Sequence, residues 1–252
     1  AGKWFYQKNA PEGTPDWVNT HPWYSSHSER YLNFVICDNL ATMVWLANQA
    51  CIELHPWMSR VESLDRPDYV VFDLDPSEGA TYEDVCDVAE VVREVLRFLN
   101  IRFFLKTSGA TGLHIFVPII NLYTYDELRD FVRSIAEAVV SLIPDKATIV
   151  RKVKDRQGKV YVDYLQNIQG KTVCSTYSVR PRPGAPVSTP ITWNELRETR
   201  PGDFNIITVP PRLNRKGDMF AGVNTERQRI DEAWRRLNSD FQHKNASRGQ
   251  SP

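Results

Sequence analysis

Two aspartates lie in one apolar, strand-like segment, "YVVFDLDPSEG" over residues 69–79. Asp73 and Asp75 are separated by a single leucine, and side chains two residues apart point to the same face of a β-strand. Carboxylate oxygens are the hard ligands that magnesium and manganese prefer. The pair therefore predicts a site for divalent cations. The alternative is a strand end whose aspartates cap the next turn, and two residues alone do not decide between them.

A third isolated carboxylate occurs in "VYVDYL", where Asp163 is the lone acid of another apolar segment. Sites that transfer phosphoryl groups with two metal ions hold those ions about 3.5–4 Å apart through shared carboxylates. Asp163, on a strand of the same predicted sheet, would supply the further acid that such a site needs. Its presence favours metal binding over turn capping for Asp73 and Asp75.

A glycine-bearing turn in "KTSGATGLHIFVPI" is the second feature with chemical potential. Glycines such as Gly109 and Gly112 let a phosphate approach backbone N–H groups closely, and Ser108 and His114 can add donors. The turn is not a Walker A loop, because no Gly-Lys-Ser/Thr follows, and it does not open a helix as a dinucleotide-binding loop does. A plain β-hairpin turn with a structural histidine is the alternative.

Alternating strands and helices must position these residues. Strands are predicted in "DYVVFDLD" and over 101–106 and 113–119, from their β-branched and aromatic residues. An amphipathic helix with Thr81 as its N-cap follows the first strand, and a second helix starts at a capping box of Thr124 and Glu127. Two more strands, "ATIVRKV" and "KVYVDYL", are predicted to form a hairpin across "KDRQG".

The first six elements match the ferredoxin-like arrangement, in which two helices cover one face of an antiparallel sheet. The sequence therefore predicts an α+β fold with a ferredoxin/RRM-like βαββαβ core at about 69–165. The other sheet face stays free for ligands, and N- and C-terminal segments elaborate the core. A single domain over 1–238 is predicted, and the polar residues 239–252 predict a disordered tail.

Composition restricts the classes of protein that remain. Of 252 residues, 42% are hydrophobic and 25% charged, and neither a bilayer-spanning run nor a leader is visible, which predicts a soluble, non-secreted protein without membrane contact. Four cysteines without a Cys-x-x-Cys pair argue against a zinc module or a disulfide framework, and they favour the cytoplasm.

The charge balance argues against binding nucleic acid through bulk charge. The chain has 31 basic and 31 acidic residues, so its net charge is zero. A local basic groove remains open, because "RKVKDRQGK" over residues 151–159 carries five basic residues and one acid. A solvated turn is the alternative for this segment.

Six segments together resemble the polymerase domain of bacterial ligase D, a member of the archaeo-eukaryotic primase superfamily with a primase-polymerase fold. They are "FYQKNAPEGTPDWV", "CIELHPW", "FDLDP", "KTSGATGLHIFVPI", "YVDYLQN" and "KTVCSTYSVRPRPGAPVSTPITWNEL". They occur in the family's order, and the similarity extends from about residue 4 to about residue 238. Each segment is weak alone, whereas the joint pattern is specific.

The resemblance implies a role for each matching residue. It implies that Asp73, Asp75 and Asp163 bind metal and carry catalysis. It implies that Ser108 and His114 hold the incoming triphosphate, and that Gly109 and Gly112 belong to the same nucleotide-binding turn. Further implied nucleotide-site residues are Lys171, Arg180, Gln166 and His55, and the residues expected to contact DNA are Lys8, Arg156 and Arg182.

The resemblance also implies an activity and its partners. The expected enzyme is a metal-dependent, DNA-directed nucleotidyltransferase with two Mn²⁺ or Mg²⁺ ions and NTP or dNTP as substrate. It would add nucleotides, preferentially ribonucleotides, to primer 3′ ends at DNA breaks and short gaps bearing a 5′-phosphate. The setting would be non-homologous end joining with Ku and a DNA ligase, in a nucleoid-associated cytoplasmic protein. Relatives usually carry basic residues for a downstream 5′-phosphate ahead of the counterpart of "KWFYQKN".

Two other functions remain open from the sequence. One is a gap-filling excision-repair polymerase or a primase of the same superfamily, although no cysteine-bearing zinc motif of the replicative archaeal primases is evident. The other is a non-catalytic nucleic-acid-binding module, because ferredoxin-like sheets also bind RNA. RNA-binding sheets present aromatic side chains, whereas this sheet presents aspartates that repel phosphate unless cations intervene. That difference favours catalysis.

Overall fold

The acidic segments belong to the larger of two units in the chain. The computed structural model describes residues 5–25 and 28–248, with side chains up to residue 239. Contacts divide the chain into a unit of Ala1–Ile52 and a unit of Glu53–Pro252. A single domain over 1–238 stays a prediction.

The first unit contains an antiparallel hairpin and a helix. Strands β1 (Thr20–Ser25) and β2 (Arg30–Val35) pair so that Tyr24 lies opposite Tyr31, and the two rings meet edge to face at 5.3 Å. Helix α1 (Leu40–Asn48) follows, and its N-cap Asn39 accepts a hydrogen bond from the backbone of Thr42. This cap satisfies one of the N–H groups that a helix start leaves without a partner.

The second unit is built on a five-stranded sheet with two long helices. The strands are β3 (Tyr69–Pro76), β4 (Phe104–Thr107), β5 (Leu113–Pro118), β6 (Ala147–Thr148) and β7 (Val160–Asp163), in the order β4-β5-β3-β7-β6. Helix α2 (Tyr82–Phe98) connects β3 to β4, and α3 (Tyr125–Leu142) follows β5. The order β4-β5-β3-β7 with these two helices confirms the predicted α+β, ferredoxin-like core.

The predicted hairpin between residues 147 and 165 is wrong. Strand β6 has two residues and pairs in parallel with β7, Ala147 opposite Val160, whereas a hairpin requires antiparallel strands. The chain therefore crosses back through 149–159, which includes a 3₁₀ turn at Val153–Asp155. The fourth strand of the ferredoxin-like core is β7, which pairs with β3, and not the segment starting at Ala147.

Helices α2 and α3 cover one face of the sheet. Both begin with the predicted capping residues, because Thr81 exchanges hydrogen bonds with Asp84, and Thr124 does the same with Glu127. Their apolar stripes are fully buried against the alternate strand residues that point toward them. These contacts include Val85, Val88, Val92, Leu96, Leu128, Phe131 and Ile135 from the helices and Val70, Phe72, Leu74, Ile115 and Val162 from the strands.

The opposite face carries the polar residues and a smaller apolar cluster. Val71 and Phe116 on this face pack with residues from later in the chain, among them Val173, Phe220 and Val223. Helices α4 (Val209–Lys216), α5 (Gly222–Thr225) and α6 (Asp231–Arg248) complete the unit. Helix α6 extends past residue 238, and residues 249–252 lie outside the described residues. The disordered tail over 239–252 stays a prediction.

None of the helices in the described ranges combines the length and the apolar character needed to cross a bilayer.

Candidate active site

A row of four polar side chains crosses the open sheet face. Lys106 on β4 lies opposite His114 on β5, His114 opposite Asp73 on β3, and Asp73 opposite Asp163 on β7. Directly opposed residues of antiparallel strands share a face, so all four side chains point away from the helices. Asp75 is two residues beyond Asp73 and joins them on the same face. The register thus brings the three aspartates onto one surface, as the sequence predicts.

The contact between His114 and Asp73 lies at the centre of the row. His114 Nε2 is 3.3 Å from Asp73 Oδ1, and the two side chains are only 6% and 17% exposed. Desolvation, followed by the nearby Lys106 ammonium, lowers the pKa of His114 well below its usual value, so the imidazole is neutral at pH 7. Desolvation raises the pKa of Asp73 to about 6, and the cations Lys106 and Arg180 limit that rise.

Two buried polar atoms of this pair are left without a hydrogen bond. Among the described residues neither Asp73 Oδ1 nor His114 Nδ1 has a hydrogen-bond partner. Buried polar groups of native proteins are almost always satisfied by protein, water or ligand. A cation bound beside Asp73 Oδ1, or a polar ligand beside His114 Nδ1, would satisfy these atoms.

The other two carboxylates are held close to Asp73. Asp75 is exposed at the mouth of the site, and desolvation by neighbouring protein atoms, together with Asp73, raises its pKa to about 7. Asp163 accepts a hydrogen bond from Tyr161 Oη at 3.0 Å. Its pKa is also raised, first by desolvation and then by Asp73. Desolvation raises the pKa of all three carboxyl groups, and Asp73 raises those of Asp75 and Asp163 further, so the cluster favours a bound cation.

The glycine turn is packed tightly against the acidic strand. Ser108 Oγ accepts the N–H groups of Ala110 and Gly112, both at 3.1 Å, so the serine shapes the turn from within. A Cβ on Gly112 would lie 2.1 Å from the carbonyl oxygen of Leu74, which only glycine avoids. Gly109 has φ +72°, and a Cβ there would lie 2.8 Å from Arg180 Cγ. The turn therefore depends on both glycines.

Arg180, His55 and Glu53 form a charged group beside this turn. Arg180 Nη1 donates to the carbonyl oxygen of Ser108 at 2.8 Å, and Arg180 Nε forms an ion pair with Glu53 Oε1. His55 Nε2 lies 3.4 Å from the same carboxylate oxygen. Desolvation lowers the pKa of His55, which Glu53 partly counteracts. The structure thus joins two of the predicted nucleotide-site residues, Arg180 and His55, through a third residue.

Comparison with known proteins agrees with this geometry. Residues 1–220 match the family described as the LigD primase-polymerase domain. The chain belongs to this family. The multifunctional non-homologous end joining protein LigD of Pseudomonas aeruginosa is 33% identical over 239 residues, covering 93% of this chain and 28% of its own length. The bifunctional LigD of Bacillus subtilis is 33% identical over 218 residues, 86% of this chain and 34% of its length.

A solved structure shows the same fold. The polymerase domain of Mycobacterium tuberculosis ligase D in complex with DNA superimposes with a TM-score of 0.79 at 27% identity. The match covers 89% of this chain and 80% of that chain. The resemblance to the LigD polymerase domain is therefore confirmed, and the chain spans about a third or less of the curated LigD proteins it matches.

The remaining residues that the LigD resemblance singles out differ in their placement. Lys171 is exposed and close enough to lower the pKa of Asp163. The side-chain amide of Gln166 donates a hydrogen bond to the carbonyl oxygen of Thr172. Arg182 is exposed, and no contact joins its side chain to the row in the part of the chain that is described. Lys8 is exposed in the first unit. The roles of all four stay predictions.

Arg156 is folded onto its own segment and does not extend into solvent. Its Nε and Nη2 donate to the carbonyl oxygens of Val150 and Arg151, and its guanidinium lies 3.5 Å from the centroid of the Tyr161 ring. Tyr161 in turn donates to Asp163. Arg156 therefore borders the acidic cluster through Tyr161, and its predicted DNA contact stays a prediction.

Lys106 and Glu53 are parts of the site that sequence reasoning missed. Lys106 is fully buried, and its ammonium donates to the Cys174 carbonyl oxygen at 3.0 Å and to Ser188 Oγ. Desolvation lowers its pKa to about 8. The sequence feature that could have identified Lys106 is its position before the glycine turn, where a hairpin places it opposite His114. Glu53 lay two residues before His55, in a segment whose spatial neighbours the sequence does not reveal.

The donor set fits divalent metal ions shared between carboxylates. The described residues contain one group of three side chains whose possible ligand atoms all lie within 4.8 Å of one another, namely Glu53, His55 and Cys174. The three aspartates do not form a second such group, so their possible ligand atoms do not all lie within 4.8 Å of one another. Their oxygen donors, their raised pKa values and the unsatisfied Asp73 Oδ1 all favour hard cations.

Proposed function

We propose that this chain is a DNA-directed nucleotidyltransferase that adds nucleotides, preferentially ribonucleotides, to primer 3′ ends at breaks and short gaps. The observation that supports this proposal best is the row Lys106, His114, Asp73 and Asp163 across four strands, with Asp75 at its mouth. It combines carboxylates for cations with a neutral imidazole and a glycine turn for phosphate. Such a combination suits transfer of a nucleotidyl group from a triphosphate.

Asp73, Asp75 and Asp163 would hold two divalent ions, manganese or magnesium. When bound, these ions supply activation of the primer 3′-hydroxyl and neutralisation of the triphosphate charge. The protein's own contribution is to keep three carboxylates together on two neighbouring, hydrogen-bonded strands despite their mutual repulsion. That preorganisation means that little rearrangement is required when the substrates arrive.

The residues around the glycine turn would bind the incoming nucleoside triphosphate. Ser108 closes the turn that contains Gly109 and Gly112, and His114 supplies a polar atom that is unsatisfied among the described residues. Arg180 and Lys171 provide positive charge for the phosphates, and His55 and Gln166 line the same pocket. Cationic side chains at this position would stabilise the charge that develops on the leaving pyrophosphate.

DNA with a gap, a nick or a broken end carrying a 5′-phosphate is the proposed substrate, contacted by Lys8, Arg156 and Arg182. The name of the Mycobacterium tuberculosis neighbour records a complex with DNA, and the names of the curated relatives record non-homologous end joining. Both support a role at DNA ends. Partnership with Ku and a DNA ligase, and a nucleoid-associated cytoplasmic location, are part of the same proposal.

A non-catalytic nucleic-acid-binding module fits the sheet less well. A sheet that stacks bases presents aromatic rings on its open face. The centre of this face instead carries Asp73, Asp75 and Asp163, whose negative charge would repel a phosphate backbone unless cations were bound. Carboxylates with raised pKa values also destabilise the metal-free protein, a cost that a binding module has no reason to carry.

Primer extension tests the proposal. The substrate is a DNA primer facing a short gap with a downstream 5′-phosphate, supplied with Mn²⁺ and either ribo- or deoxyribonucleotides. We expect addition by the native chain, with ribonucleotides preferred, and none by Asp73→Ala or Asp163→Ala. Full activity in Asp163→Ala would refute the assignment of the metal site. DNA binding by the native chain without any addition would favour the binding module.

A further inference from the structure

Glu53 occupies an unexpected position for an acid. It lies beside the turn proposed to hold a triphosphate, where its carboxylate forms an ion pair with Arg180 and lies 3.4 Å from His55 Nε2. Its side chain is 19% exposed, so the charge is largely withdrawn from water. A negative charge at this point repels phosphate, and electrostatics alone would therefore disfavour it.

A metal ion does not account for Glu53. Its carboxylate, His55 and Cys174 have donor atoms within 4.8 Å of one another, a distance from which a soft cation could be bound. However, the guanidinium of Arg180 already pairs with the same carboxylate oxygen, and the fully buried Lys106 ammonium donates to the Cys174 carbonyl oxygen. The positive charges of Arg180 and Lys106 disfavour a bound metal cation at this group. The Glu53 carboxylate therefore acts as the ion-pair partner of Arg180.

We propose that Glu53 is a positioning residue that orients Arg180 and His55 toward the triphosphate of the incoming nucleotide. The inference deepens the proposed function and rests on it. Arg180 Nε lies in an ion pair with Glu53, and its Nη1 donates a hydrogen bond to the Ser108 carbonyl oxygen, so the planar guanidinium is restrained at two points. A guanidinium fixed in this way presents its remaining donors in one direction, and it loses less side-chain entropy when a phosphate binds.

The contact between Arg180 and Gly109 supports the same role. The aliphatic part of Arg180 packs on the turn so closely that a Cβ on Gly109 would lie 2.8 Å from Arg180 Cγ. The side chain therefore passes over the proposed phosphate-binding turn and ends at Glu53. If Glu53 did not hold Nε, the guanidinium could rotate about its stem and lose the alignment that the Ser108 contact alone cannot fix.

The two possible roles of Glu53 predict opposite changes in nucleotide affinity when its charge is removed. If its charge merely repels phosphate, replacing it by glutamine should tighten nucleotide binding. If it positions Arg180 and His55, the same replacement should weaken binding although one negative charge has been removed. Glu53→Asp separates charge from position, because it keeps the carboxylate but shortens the side chain by one methylene group.

The experiment measures KM and kcat for ribonucleotide addition on the gapped primer with Mn²⁺. The variants are Glu53→Gln, Glu53→Asp, Arg180→Lys and the double variant Glu53→Gln with Arg180→Lys. The matched control is Glu195→Gln, since Glu195 is 15% exposed and forms an equally buried ion pair with Arg212. We expect Glu53→Gln to raise KM about tenfold, in line with the loss of one partner of a buried ion pair.

The double variant tests whether Glu53 acts through Arg180. Residues that act as one unit give non-additive effects, so the double variant should be no worse than Arg180→Lys alone. Glu53→Asp should also raise KM, and Glu195→Gln should leave it unchanged. The unfolding midpoint of each variant shows whether it is folded, and Glu53→Asp keeps the test valid if Glu53→Gln does not fold.

Several results would overturn the inference. They are an unchanged or lower KM in Glu53→Gln, full function in Glu53→Asp combined with loss in Glu53→Gln, or fully additive effects in the double variant. Absence of nucleotide addition by the native chain is a different result, because it rejects the proposed function itself. The native measurement thus separates a failure of the function from a failure of the role given to Glu53.

Discussion

Asp73 on β3 lies directly opposite Asp163 on β7, so two carboxylates are cross-strand neighbours in the interior of the sheet. Like charges in directly opposed positions destabilise a sheet. Desolvation is the main cause that raises the pKa of each carboxyl group, and Asp73 raises the pKa of Asp163 further. The two neighbouring carboxylates therefore destabilise the metal-free protein, and a bound cation would reduce that cost.

Replacing Asp73 by asparagine should stabilise the metal-free protein in a pH-dependent way. The pKa of Asp73 is about 6 in the folded protein against a usual value near 4, so the folded state holds the proton more tightly. Ionisation therefore costs folding free energy, with no cost below pH ~4 and the full cost above pH ~6. We expect Asp73→Asn to raise the free energy of unfolding by about 2 kcal/mol at pH 8 and by little at pH 4.

Denaturant unfolding in the presence of a chelator at pH 4, 6 and 8 measures this dependence. Asp65→Asn is the control, since Asp65 is 68% exposed and pairs with Arg66 at the surface. A stability difference between native chain and Asp73→Asn that stays constant from pH 4 to pH 8 would contradict the electrostatic origin.

Manganese should stabilise the native chain, and Asp75 should be required for the effect. A ligand at a hundredfold excess over its dissociation constant adds about 2.7 kcal/mol, which for a chain of this size raises the melting temperature by roughly 5 °C. Carboxylates must be ionised to bind metal, and the pKa of Asp75 is about 7. The gain should therefore be large at pH 8 and small at pH 5.5.

Thermal melts with and without Mn²⁺ check this dependence, with Asp75→Asn beside the native chain and Asp65→Asn as the control. Asp75→Asn should lose most of the manganese effect, whereas Asp65→Asn should keep it. An equal rise in melting temperature for Asp75→Asn and native chain would place the metal elsewhere.

The parts of the site that sequence analysis could predict are those set by local rules. Alternation along one strand places Asp73 and Asp75 on the same face, and the capping residues Thr81 and Thr124 begin the helices where expected. Glycine spacing identified the turn at 109–112. Each of these features depends on residues that are close together in the chain.

The missed parts depend on contacts between distant segments. Strand β6 has only two residues, so apolar composition at 147–153 overstated its length, and the predicted antiparallel pairing with β7 is in fact parallel. The burial of Lys106 arises from Cys174 and Ser188, which lie 68 and 82 residues later. Glu53 meets Arg180 only after folding. No local pattern marks such pairings.

Replacing Gly112 by alanine should disrupt both stability and activity. The new Cβ would lie 2.1 Å from the Leu74 carbonyl oxygen and 3.6 Å from Asp75 Oδ1, so β3 must move at the acidic residues. We expect a loss of about 2–3 kcal/mol in unfolding free energy, as is typical of overpacking, and loss of nucleotide addition. Denaturant titration and primer extension measure the two effects.

Gly202→Ala is the matched control for Gly112→Ala. Gly202 has no atom within 4 Å of the position where a Cβ would lie, so an added methyl group meets open space. Its stability and activity should stay near native. Native activity in Gly112→Ala would show that the backbone next to Asp75 tolerates displacement, contrary to the rigid site described above.

Replacing Tyr161 by phenylalanine should weaken activity, and the loss relative to the native chain should shrink as the pH rises. The Tyr161 hydroxyl donates to Asp163 at 3.0 Å and holds the pKa of that carboxyl down. Without this bond the Asp163 pKa rises further, so a metal ion must displace a more tightly held proton and binds more weakly. We expect about a tenfold loss of nucleotide addition at pH 6, with the ratio to native recovering toward pH 9.

The phenylalanine ring keeps the stacking surface for Arg156, so the change isolates the hydroxyl group. Tyr177→Phe is the control, because Tyr177 donates to Asp218 at the same 3.0 Å outside the row. Rates across pH 6–9 for both variants distinguish the effects: Tyr177→Phe should follow the native profile. If Tyr161→Phe lost the same factor at every pH, the hydroxyl would act by geometry alone, and its influence on the ionisation of Asp163 would be rejected.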